Sequence, residues 1–118
     1  MISRLLAIAI LGLSSLYSSY VFALTVEQFS SICQTVSGNC SDHPILQAYV
    51  GGALDLLATL DEETDHLEKL YCKEPKELFN VPVIIQFMQA HGDEYASRNA
   101  MLLVVRYFEE KGGCPPRE

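Results

Sequence analysis

Residues 42–65 read DHPILQAYVGGALDLLATLDEETD, and their spacing decides the fold. Leu46, Tyr49, Val50, Ala53, Leu54, Leu57 and Leu60 recur every three or four residues, as on the buried stripe of an amphipathic helix. Pro44 suits the first turn, where its missing N–H would have had no helical partner, and Ser41 or Asp42 can cap the start. Residues 44–60 then make about 25 Å of helix. The acidic run at 61–65 ends the helix or follows it. Gly51 and Gly52 interrupt the pattern, and each costs ~0.8–1 kcal/mol relative to Ala. Either another helix approaches closely there or a ligand reaches the backbone. No cofactor signature accompanies them, so close packing is the better reading, with Ala96 and Ala100 as the small residues placed to meet them.

Working outward, three more helices are predicted. Before the central helix, Thr25 and Gln28 form a capping box, and Phe29, Ile32, Cys33 and Val36 share one face up to Gly38. After it, Asn80 caps a third helix with Pro82 in its first turn and Ile84, Phe87, Met88 and His91 along one side, stopped by Gly92. A fourth is predicted from Asp93, with Ala96, Ala100, Leu103, Val104 and Tyr107 inward. Gly112, Gly113 and the Pro115–Pro116 pair forbid its continuation. No strand alternation appears. The expected fold is all-α, a small antiparallel bundle of about four helices with short links.

The first 23 residues have the layout of a secretory signal peptide: Arg4, then an apolar run from Leu5 to Leu13, then Val21-Phe22-Ala23 as a cleavage site. A retained N-terminal anchor is the rival, and the three-part layout favours cleavage. The helical domain is then 24–118, 95 residues, enough for one modest core. Without Arg4, seven Lys and Arg face fifteen Asp and Glu, a net charge of about −8. Such a chain repels phosphate backbones, which argues against nucleic acid. A basic protein surface is the better partner, although solubility alone accounts for a charge surplus. No other segment is long and apolar enough to span a membrane.

Cys33, Cys40, Cys72 and Cys114 all follow the cleavage site, and an even count in a short exported chain suggests two disulfides. No spacing suits zinc. Cys33 ends one helix and Cys40 precedes the next. The fourth helix, returning antiparallel to the third, brings Cys114 beside Cys72. The predicted pairs are therefore Cys33–Cys40 and Cys72–Cys114, the second closing the larger loop.

No catalytic constellation is evident. His43, His66 and His91 lie at helix ends or in a loop, and Asp65 and His66 are sequence neighbours whose side chains diverge on a helix. Asp61, Glu62, Glu63 and Asp65 crowd together without the spacing of a calcium loop, so they form either a solvated helix end or a partner-binding patch. No cofactor or metal is expected, and no enzymatic activity. Composition and spacing leave two readings: a protein that binds another protein, or a small periplasmic acid-stress chaperone.

Three segments tip the balance: YVGGALD (49–55), YCKEP (71–75) and VVRYFEEKGGCP, which ends at Pro115. Together they resemble the Rap/Tai family of type VI secretion immunity proteins, in which a Tyr-[Ile/Val]-x-Gly-x-x-Asp motif precedes an aromatic-Cys-x-Pro motif, a helix hairpin and a closing Cys. Tyr49, Val50, Gly52 and Asp55 fall on the first motif, Cys72 on the second and Cys114 on the third. Pro75 lies one residue later than the family spacing, and the family's Cys directly before the Tyr motif has no counterpart here. The resemblance implies a non-enzymatic, homodimeric antidote that waits in the periplasm and blocks the active-site groove of a peptidoglycan amidase. Asp61, Glu62, Glu63 and Asp65 are the expected contacts, with the Asp93–Glu94 turn second. The resemblance also makes Gly52 the packing glycine and Gly51 the replaceable one.

Overall fold

The computed structural model describes residues 23–64 and 68–116. The expected signal peptide falls outside these residues apart from Ala23. The described chain contains five helices and no strand: α1 (Val26–Thr35), α2 (Pro44–Glu63), a single turn α3 (Pro75–Leu78), α4 (Val81–Ala90) and α5 (Met101–Lys111). None of them is long and apolar enough to cross a membrane.

Local chemistry sets the helix starts. The Thr25 hydroxyl accepts from the Gln28 amide at 3.1 Å, and the Gln28 side chain accepts from the Thr25 amide at 2.9 Å, completing the predicted box. Asn80 Oδ1 accepts from Val83 N–H at 3.2 Å at the head of α4. At the head of α2 the capping position is His43, with Pro44 behind it and no side-chain cap. Ser41 and Asp42 instead belong to a 3₁₀ turn, Cys40–Asp42, whose Ser41 carbonyl accepts from the Gln47 amide group.

The second half of the expected fourth helix forms, but its first half does not. Residues 91–100 are turns, and α5 begins at Met101. The reason lies in α1. Its first N–H groups have no partner inside the helix. Val26 N–H donates to the Arg98 carbonyl and Glu27 N–H to the Ala96 carbonyl, both at 2.9 Å, while Ala100 N–H returns to Leu24 O at 2.8 Å. Those carbonyls would be consumed by a helix through 96–100. Asn99 Oδ1 then accepts from Met101 N–H at 2.9 Å and opens α5.

The core joins Val26 and Phe29 of α1, Leu46, Val50 and Leu54 of α2, Ile84, Ile85 and Met88 of α4, and Leu103, Val104, Tyr107 and Phe108 of α5. Around Phe108 the rings of Tyr71, Phe79 and Tyr107 meet at 5.3–5.6 Å, two of the contacts edge-to-face. The buried Tyr107 hydroxyl donates to Leu78 O at 3.1 Å.

Both predicted disulfides are present. Cys33–Cys40 joins the end of α1 to the turn before α2, with Cα atoms 5.0 Å apart, and Cys72–Cys114 ties the segment before α3 to the chain beyond α5, at 4.9 Å. The described residues include no free cysteine. Two disulfides fit an oxidising compartment such as that of exported proteins.

The expected packing role of Gly51 and Gly52 is not met. A Cβ built at either glycine would touch nothing within 4 Å. Ala100 is fully buried but in the core, and Ala96 is exposed on the turn beside α1, so neither alanine meets the glycines. Gly52 lies on the outer face of α2, the side that also exposes Ile45 and Leu56. The close approaches are made elsewhere. A Cβ at Gly112 would come within 2.8 Å of Leu70 O and 3.1 Å of Tyr71 Cα, and one at Gly92 within 2.8 Å of Ser30 Oγ.

Candidate functional site

Two acidic surfaces emerge from this frame. The first is the end of α2. The helix runs three residues past Leu60, so Asp61, Glu62 and Glu63 occupy its last turn, and of the two placements the sequence left open, the run ends the helix. Asp65 lies outside the described residues. Thr64 closes the helix, its hydroxyl donating to Leu60 O at 2.6 Å. The last turn contains no basic residue, so these carboxylates sit at the negative end of the helix dipole, where negative charge is unfavourable. Behind them stands Tyr71. Its hydroxyl is buried and has no hydrogen-bond partner among the described residues. Burial, and then the charges of Asp61 and Glu62, hold its phenol above the ordinary tyrosine value.

The second surface is a groove of about 380 Å³ between the end of α4, the following turn and α5. Phe87, stacked on His91 at 4.0 Å between centroids and edge-on to Tyr107 at 5.5 Å, forms its floor with Leu103. His91 Nδ1 lies 2.8 Å from Phe87 O, so Nδ1–H donates there and fixes the ring. Tyr95 closes one wall. Arg106 lies over the Tyr95 ring, 5.8 Å from its centroid, and pairs with Glu109 at 2.8 Å. That hydrogen bond leads the influences that raise the Arg106 pKa, followed by the charge of Tyr95. Glu94 and Glu110 also line the groove, and neither pairs with another described residue.

The sequence-predicted residues thus separate. Glu94, the second-choice contact, belongs to the groove, whereas Asp61, Glu62 and Glu63 belong to the end of α2. The motif residues Tyr49 and Asp55 lie along α2, and burial raises the Tyr49 pKa. Arg106, Glu109 and Glu110 escaped the sequence reading as site residues. The one available signal was the Arg106–Glu109 spacing, which places opposite charges on one helix face. Among the described residues no group of three or more His, Cys, Asp and Glu side chains is arranged to hold a metal ion. Comparison with protein-family models, curated proteins and solved structures returns no match.

Proposed function

We propose that the protein is a periplasmic immunity protein that binds a type VI secretion peptidoglycan amidase and inhibits it by blocking the active-site groove, working as a homodimer. The observation that carries this reading is the last turn of α2. Three carboxylates stand there against the helix dipole, a local choice that costs stability and that proteins make mainly at functional sites. A cleft built to hold a peptide stem admits such a turn without being able to cleave it. The resemblance of Tyr49, Val50, Gly52, Asp55, Cys72 and Cys114 to the Rap/Tai motifs supplies the partner class. The disulfide-stapled helical scaffold, suited to an oxidising compartment, and the acidic surface agree with it.

The test is direct. A type VI secretion peptidoglycan amidase is mixed with the purified protein at neutral pH, and peptidoglycan hydrolysis is followed. Tight binding and loss of hydrolysis are expected, weakened by Asp61→Ser, Glu62→Ser and Glu63→Ser together. Full inhibition by that triple variant would remove the α2 turn as the contact. No binding, combined with the ability to keep unfolded clients soluble near pH 2, would replace the reading with the chaperone one.

A further inference from the structure

We propose that the groove between α4 and α5 docks a basic segment of a partner protein, taking one lysine or arginine side chain with apolar neighbours. This rests on the reading that the chain works by binding another protein, but not on that protein being an amidase.

The chemistry of the groove selects the occupant. Its floor is the Phe87 ring, backed by the buried Leu103, and Tyr95 makes one wall. The floor is also held in place before any ligand arrives, because Phe87 is fixed between His91 and Tyr107, and His91 is tied back to the α4 backbone. A preformed floor spares a ligand the cost of ordering it. Such a surface suits the aliphatic stem of a long side chain. The rim sets the sign of the charge. Three carboxylates, Glu94, Glu109 and Glu110, surround the groove against one guanidinium. Arg106 is already engaged, bonded to Glu109 and laid over Tyr95, so it neutralises Glu109 and leaves Glu94 and Glu110 uncompensated. An incoming cation finds two carboxylates beside an aromatic and apolar surface that can hold its aliphatic stem. An acidic segment would meet the same two carboxylates as repulsion. The net negative charge of the chain draws the same class of partner toward the molecule as a whole.

The test uses the purified chain with both disulfides intact, labelled with ¹⁵N, and the probe acetyl-Leu-Lys-Leu-amide. Shifts are expected at the amides of Phe87, His91, Tyr95 and Arg106, saturating at about millimolar peptide and weakening as salt is added. The norleucine analogue, which keeps the stem and lacks the charge, should bind about fivefold more weakly, and Glu94→Gln with Glu110→Gln should weaken the lysine peptide about as much. Arg106→Gln should tighten binding, because it frees Glu109. Asp61→Asn with Glu62→Gln should change nothing at this site. Equal binding of the norleucine and lysine peptides, preference for acetyl-Leu-Glu-Leu-amide, or loss of binding in Arg106→Gln would each overturn the proposal. Peptide binding here without inhibition of any type VI secretion amidase tested would uphold the groove and remove only the amidase reading. Undiminished amidase binding by the Glu94→Gln, Glu110→Gln variant, with no peptide shifts in the unmodified chain, would do the reverse.

Discussion

Gly112 and Cys72 are joined through the backbone: the Gly112 carbonyl accepts the Cys72 amide at 2.8 Å, and that of Lys73 at 3.0 Å. Two residues later Cys114 bonds covalently to the same Cys72. The end of α5 and the segment entering α3 are therefore pressed together, and Gly113, at φ +78°, turns the chain out of the helix to make the bond possible.

This clasp predicts unequal roles for the glycines that make close approaches. Gly112→Ala places a methyl against the Leu70 carbonyl and Tyr71 Cα, backbone atoms that cannot rotate away, and should cost about 1–3 kcal/mol. Gly92→Ala comes too close only to the Ser30 hydroxyl, on a side chain that can turn, its contacts with Gln89 O and Met88 O being of ordinary length, and should cost clearly less. Urea unfolding of the two variants checks the order.

The same end of the molecule should respond most to loss of a disulfide. Cys72 and Cys114 are 42 residues apart and Cys33 and Cys40 only seven. In the loop-entropy account the longer closure contributes about 4 kcal/mol and the shorter about 2.5 kcal/mol. Paired Cys→Ser variants, unfolded under identical conditions, should rank accordingly.

Gly51 and Gly52 should behave alike. With nothing within 4 Å of a Cβ at either, Gly51→Ala and Gly52→Ala should each stabilise the chain by up to about 0.8–1 kcal/mol through helix propensity. Even Gly52→Leu should fold, because it projects into open space. Thermal melts of the disulfide-bonded protein test this, and a Gly52→Leu variant that folds but loses homodimerisation would place the packing role between two copies.

Tyr71 should control part of the response to alkali. Its pKa in the folded chain lies above the ordinary value of 10.0, first through burial and then through Asp61 and Glu62. The folded state therefore holds this proton more tightly than the unfolded state. The associated stability is fully present below about pH 10 and is lost as the pH rises from there through the folded value. Tyr71→Phe should be close to neutral at pH 7, since the hydroxyl it removes is buried, has no hydrogen-bond partner of good geometry among the described residues, and interacts with Asp61 and Glu62 only weakly enough to raise its pKa. It should also flatten the fall in stability as the pH rises above about 10. Burial raises Tyr49 and Tyr107 as well, so part of the fall remains.

The last turn of α2 should trade stability for binding. Asp61→Asn, Glu62→Gln and Glu63→Gln each relieve an unfavourable charge at a helix C-terminus and should each stabilise the fold by about 0.3–1 kcal/mol at low salt. Under the proposed function the same variants weaken inhibition of the amidase. A calorimetric melt and an inhibition assay on one preparation separate the two effects.

Local chemistry made much of this protein legible from its sequence. The Thr25–Gln28 box, the Asn80 cap, the proline-led starts of α2 and α4 and the period of the buried stripes depend on residues a few positions apart, so they can be read without the fold. The cysteine pairing followed as well, because helix lengths and short links fix which ends of the bundle are neighbours. Contacts between distant segments were decided only by the tertiary structure. Residues 96–100 have a helical pattern, yet their carbonyls serve the unsatisfied amides of α1. The period of the α2 stripe sets Gly51 and Gly52 off its centre, but only the structure shows that nothing packs against them, and the glycine that admits a close approach is Gly112, held there by the disulfide beside it. The groove could not be read in advance either. Its floor and rim come from α4, the turn after it and α5, and whether Glu94 and Glu110 share one surface depends on how those three segments pack.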